Sequence, residues 1–176
     1  MPTSTYSGVY SIPVTPFNED KSIDLESLNN CLEFLVEKGS DGIVLPVNVS
    51  EASRLSDKEK DLVLQTAVNV IDGEVPLIAG ITGVSTEHVI ERAKKAEDIG
   101  IESVMCMPPL GFSSEADFFN FYAAISENTS VDIWVQNNKP PACPSIPPTV
   151  LSKILNELNR VDYLKEESAN SGHMHT

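Results

Sequence analysis

The chemistry of this chain can be argued from one residue, Lys165, in Val161-Asp162-Tyr163-Leu164-Lys165-Glu166-Glu167-Ser168. The stretch reads as a short β-strand with a lysine at its C-terminal tip. Burying an unpaired ammonium costs several kcal/mol unless the group gives up its proton. A free lysine titrates near ~10.4, so roughly one in 2,500 is neutral at pH 7. Burial that lowers this to about 7–8 prepares the amine as a nucleophile for Schiff-base chemistry. The plain alternative is a strand-end lysine that snorkels to water. Strand alternation puts Glu167 on the lysine's side, where a carboxylate either orients the amine or opposes its activation. Tyr163 falls on the same face and offers either a hydroxyl or interior bulk.

Other candidates are weaker. His173 and His175 form an H-x-H pair without a third ligand in a fixed position, so no metal site is expected. Ser11 and Thr15 lack triad partners, and His88 opens a helix, where solvation is expected. Cys31, Cys106 and Cys143 are odd in number and contain no CxxC pair; Cys31 and Cys106 are expected as buried thiols. That usage suits a reducing, cytoplasmic compartment. The segment Met1-Pro2-Thr3-Ser4-Thr5-Tyr6 lacks the basic residues and apolar run of a signal peptide. A net charge of −14 argues against nucleic acid or an anionic membrane as partner. No apolar run approaches transmembrane length.

The elements that must position Lys165 recur regularly. Apolar segments at Val9–Val14, Gly42–Val47, Val75–Gly80, Ser103–Met107, Asp132–Gln136 and Val161–Ser168 read as strands. Helical patterns separate them: from about Asp24 to Lys38-Gly39, from the capping box at Ser56 to Gly73, and from Thr86 to Gly100. Two more start at Ser113-Ser114 and Thr149. In the fourth helix Phe118, Phe121, Tyr122 and Ile125 are expected to pack the core. The strand spacing of roughly thirty residues is that of a βα unit, and unbroken alternation implies parallel strands with right-handed crossovers. An open doubly wound sheet and a (β/α)₈ barrel both satisfy the pattern. No glycine-rich phosphate loop follows a strand, which takes weight from nucleotide-binding open sheets. A barrel needs roughly 250 residues, and these 176 supply about six of its eight strands.

With the strands and the lysine placed, the sequence resembles the dihydrodipicolinate synthase / N-acetylneuraminate lyase family. The carriers are Gly8-Val9-Tyr10-Ser11-Ile12-Pro13-Val14-Thr15-Pro16-Phe17, then Lys38-Gly39 with Asp41-Gly42-Ile43, and Ser50-Glu51 with Leu55-Ser56. Pro76-Leu77-Ile78-Ala79-Gly80-Ile81-Thr82 and Leu164-Lys165-Glu166 complete the set. Their order and spacing span the whole chain. The resemblance implies a TIM barrel in which Lys165 forms a Schiff base with pyruvate or another 2-oxo acid, without a cofactor. It implies one partial barrel domain over residues 1–176, lacking the last βα units and any C-terminal helical domain. It also implies a homo-oligomer, dimer or tetramer.

The sequence departs from the family pattern around the lysine. Val47-Asn48-Val49-Ser50-Glu51 stands where relatives carry Gly-Thr-Thr-Gly-Glu, so Asn48, Val49 and Ser50 are the expected contacts for the substrate carboxylate. The family's strand-five Tyr-Asn falls on Gln136-Asn137 or, counted back from Pro140, on Asn137-Asn138. Gln136 and Asn137 are therefore expected at the substrate, yet neither can transfer protons. Leu110-Gly111 replaces a tyrosine pair after strand four. These departures favour a dehydratase or aldolase of a keto-deoxy sugar acid over a true dihydrodipicolinate synthase. A non-catalytic relative, or an inactive fragment of such a barrel, is the competing reading.

Overall fold

A computed structural model describes residues 6–168. The strands are β1 (Tyr10–Ser11), β2 (Gly42–Leu45), β3 (Leu77–Gly80), β4 (Ser103–Cys106), β5 (Asp132–Asn137) and β6 (Tyr163–Glu166). The helices between them are α1 (Leu25–Glu37), α2 (Asp57–Ile71), α3 (Thr86–Asp98), α4 (Glu115–Asn128) and α5 (Pro148–Glu157). One sheet carries the strands in the order β1-β2-β3-β4-β5-β6. Doubly wound sheets reverse direction at a switch point, so their strand order is not sequential. A sequential order of parallel strands belongs to the first six strands of a (β/α)₈ barrel. By internal contacts the chain forms two units, Met1–Gly80 with Ile99–Ile101, and Ile81–Asp98 with Glu102–Thr176.

In the first unit, Tyr10 pairs with Gly42 and Ser11 with Ile43, while Ile43, Val44 and Leu45 pair with Leu77, Ile78 and Ala79. Ile43 and Leu45 pack with Leu28 and Leu32 of α1 and with Val63, Ala67 and Ile71 of α2. The opposite face explains the glycine at 42: a Cβ there would lie 2.1 Å from the Tyr10 ring. Asp24 caps α1 by accepting from the Ser27 amide at 3.0 Å. Ser56 and Glu59 form the expected capping box of α2, which ends on Asp72 in the left-handed region at φ 44°. β1 is much shorter than the expected Val9–Val14. Pro13 has no N–H to give a ladder, and the strand's entry is held from the side, where the Val9 amide donates to Asp41 Oδ2 at 2.7 Å.

In the second unit, β4 and β5 pair from Ser103↔Asp132 to Cys106↔Val135, and β5 and β6 from Trp134↔Tyr163 to Asn137↔Glu166. Val104, Cys106, Ile133 and Val135 form one fully buried face. Phe118, Phe121, Tyr122 and Ile125 of α4 are core residues as expected, and the Tyr122 hydroxyl donates to the Cys106 carbonyl at 2.9 Å. Ser114 and Asp117 close a second capping box. Cys106 is buried, but Cys31 is only half-buried, because it stands beside the inward Leu28–Leu32 stripe of α1. The His88 ring is not simply solvated. Its Nδ1 accepts from the Val84 amide at 3.4 Å and is folded back over the turn that opens α3.

Candidate active site

Alternation divides the end of β6 between two tasks. Lys165 and Glu167 point to one face and Glu166 to the other. On the first face, Lys165 Nζ lies 2.5 Å from Glu167 Oε1, and the two side chains are 24% and 35% exposed. Gln136 is the register partner of Lys165, and its Nε2 donates to the second Glu167 oxygen at 2.6 Å. The Asn138 amide reaches that oxygen at 3.5 Å. The lysine, a carboxylate and two amides therefore form one cluster at the C-terminal ends of β5 and β6.

The second face is structural. Asn137 is fully buried; its Nδ2 donates to Glu166 Oε2 at 2.7 Å, and its Oδ1 accepts from the Ile146 amide at 2.8 Å. The other Glu166 oxygen accepts from the Ser168 amide at 2.6 Å. This clasp ties the loop after β5 to the end of β6, with Cys143 and Ile146 buried beneath it. Burial pushes the Cys143 thiol up, and the Glu167 and Glu166 carboxylates add to that against a backbone hydrogen bond at Asn138.

Gln136 stands opposite Lys165, and Asn137 faces away into the clasp. Asn137 thus holds the loop rather than reaching the lysine's face. The sequence signal for this was the alternation itself, which makes consecutive strand residues face opposite sides.

The segment after β2 belongs to the first unit. Asn48 is exposed, Val49 is 56% exposed and Ser50 is buried. The Ser50 hydroxyl donates to the Pro13 carbonyl at 2.7 Å, and its own carbonyl accepts from the Thr15 hydroxyl at 2.7 Å. Ser50 and Thr15 thereby staple this turn to the segment that follows β1, a role the sequence did not suggest for either. The turn needs no glycine, because Glu51 itself takes the left-handed conformation at φ 56°. Among the described residues no group of three or more His, Cys, Asp or Glu is arranged to hold a metal ion. His173 and His175 lie outside the described residues. No described helix is long and apolar enough to cross a membrane.

Lys165 thus stands beside a carboxylate at the C-terminal tip of a barrel strand, the end of the barrel at which TIM-barrel enzymes carry their sites. Residues 5–175 match the Dihydrodipicolinate synthetase family, and the chain belongs to it. It is similar to the L-2-keto-3-deoxyarabonate dehydratase of Azospirillum brasilense, 29% identical over 94% of this chain and 55% of that protein. The 4-hydroxy-tetrahydrodipicolinate synthase 1 of Halalkalibacterium halodurans is 36% identical over 70% of this chain and 42% of its own length. Among solved structures, the dihydrodipicolinate synthase of Thermotoga maritima superposes with a TM-score of 0.85 at 26% identity, covering 92% of this chain and 55% of that one. The chain spans about half the length of the relatives it matches.

Proposed function

We propose that the protein is a Schiff-base lyase in which Lys165 forms an imine with a pyruvate-like 2-oxo acid. The observation that carries this reading is the Lys165 amine at the tip of β6, in contact with the Glu167 carboxylate and in register with Gln136. An amine must lose a proton before it can attack a carbonyl, and here a proton acceptor touches it. The iminium then acts as an electron sink for breaking a carbon–carbon or carbon–oxygen bond. Asn48, Val49 and Ser50 are the proposed contacts for the substrate carboxylate, with Gln136 beside the imine. The substrate class we favour is a keto-deoxy sugar acid, handled by dehydration or aldol cleavage. Gln136 supports that choice, since it cannot play the tyrosine's part in the synthase reaction, and one similar protein is named as a sugar-acid dehydratase. No cofactor is invoked. The protein is proposed to act in the cytoplasm as a homo-oligomer.

The second reading, a non-catalytic relative, draws on Ser50, whose hydroxyl already donates within the fold. Incubation with 2-oxo acids and borohydride, followed by peptide mass spectrometry, separates the two. The adduct is expected on Lys165. An adduct on Lys139 or Lys153, or none from a protein with a complete barrel, overturns the proposal.

A further inference from the structure

Resting on the Schiff-base reading above, we infer that Glu167 is the proton-transfer group of the Lys165 reaction, with Gln136 and Asn138 as the residues that position it. The strand-five position opposite the lysine is an amide, which cannot exchange protons at any accessible pH. The acid–base function must therefore come from elsewhere on the same face. Glu167 is the carboxylate that meets the geometric requirement. One of its oxygens touches the reacting nitrogen, and the other is held by Gln136 Nε2 at 2.6 Å and by Asn138 Nδ2 at 3.5 Å. This fixes the carboxylate as a bridge between β5 and β6 while leaving it 35% exposed, open to substrate and to water that can reset its protonation. Glu166 cannot take the part, because both its oxygens are bound on the opposite face.

The step balances. The Lys165 ammonium gives one proton to Glu167 Oε1, and the freed lone pair forms the C–N bond at C2 of the 2-oxo acid while the carbonyl π pair moves to oxygen. That oxygen receives the proton held by Glu167 and a second one from nitrogen through the same carboxylate. It leaves as water as the nitrogen pair closes the C=N bond. Of the three N–H protons, one stays on the iminium and two leave in water; the charge is unchanged and Glu167 is regenerated. The Lys165 amine touches the carboxylate, and the Cys143 thiol feels both the Glu167 and the Glu166 charges.

The test measures the rate of borohydride-trapped adduct on Lys165 in the full-length protein, with pyruvate and 2-keto-3-deoxyarabonate as probes. Glu167→Gln keeps the shape and an oxygen for the amides, and it should slow adduct formation about 10²–10⁴-fold and flatten the acidic limb of the pH–rate profile. Acetate should restore part of the rate to Glu167→Ala, a rescue that a structural role would not produce. Glu166→Gln should leave the rate near wild type. Equal rates for wild type and Glu167→Gln, or an equal loss in Glu166→Gln, overturn the inference and leave the Schiff-base reading standing. Absence of any wild-type adduct with either probe overturns both.

Discussion

The indole of Trp134 stacks on the phenol of Tyr163 with ring centroids 4.6 Å apart and an interplanar angle of 17°, two residues along the β5–β6 register before Gln136 and Lys165. The Trp134 Nε1 also donates to Ser103 Oγ at 2.8 Å, which anchors the pair to β4. The floor beneath the lysine is thus an aromatic stack, and its ring faces are what Tyr163 contributes.

Tyr163→Phe keeps those faces and is expected to leave turnover within about threefold of wild type, whereas Tyr163→Ala removes a pair worth roughly 0.5–1.5 kcal/mol beyond its buried area. Steady-state kinetics on the phenylalanine variant and denaturant unfolding of the alanine variant check this. A large kinetic loss in Tyr163→Phe would mean that the hydroxyl, not the stack, matters.

Condensation of pyruvate with aspartate semialdehyde is expected to be absent or very weak. The position opposite Lys165 is Gln136, and losing an acid–base group there typically costs ~10²–10⁴-fold. A coupled assay for the condensation product decides it. Robust turnover would show that the strand-five side chain is dispensable.

Asn137→Ala is expected to destabilise the protein by about 1–3 kcal/mol, since it strips the buried Ile146 amide of its acceptor and the Glu166 carboxylate of a donor. Urea unfolding at neutral pH measures the loss. A change within experimental error would show that the loop after β5 is held by other contacts.

Asp132 carries a pH dependence of stability. Burial raises its carboxyl above the usual value, the neighbouring Asp162 adds to the shift, and Arg160 opposes it. A carboxyl raised in the folded state binds its proton more tightly there than in the unfolded chain. Its penalty is therefore absent at low pH and appears as pH rises through the usual carboxylate range. Asp132→Asn should raise Tm modestly at pH 7, and the gain should shrink as pH falls toward about 4. A gain that grows on acidification would reverse the sign assigned to this group.

A polypeptide of these 176 residues alone is expected to associate rather than behave as a stable monomer. β1 and β6 end the strand order, and an unpaired edge is a template for pairing. β6 is only half-buried at all four positions, while β2 and β4 are buried throughout. A few hundred Å² of uncovered apolar surface costs on the order of 5–10 kcal/mol, comparable with the stability of a whole domain. Sedimentation and thermal melting would show it; a monodisperse monomer with a sharp transition would contradict it.

The sequence by itself determined the alternation of strands and helices, the family, and the placing of Lys165 at a strand tip. These depend on local periodicity, on caps such as Ser56 with Glu59, and on the order of short motifs, all of which are written within a few residues of each other. The length of β1 was less legible, because pairing depends on the neighbouring strand and on Pro13 as much as on β1's own apolar residues. The site's internal arrangement was decided only by tertiary structure. Whether residue 136 or 137 faces the lysine is a matter of inter-strand register, and a slip of one residue exchanges the two faces. The same register brings Gln136 and Asn138 onto Glu167 and sends Asn137 to Glu166. Side chains 29 and 31 residues apart in the chain met there because two parallel strands placed them side by side.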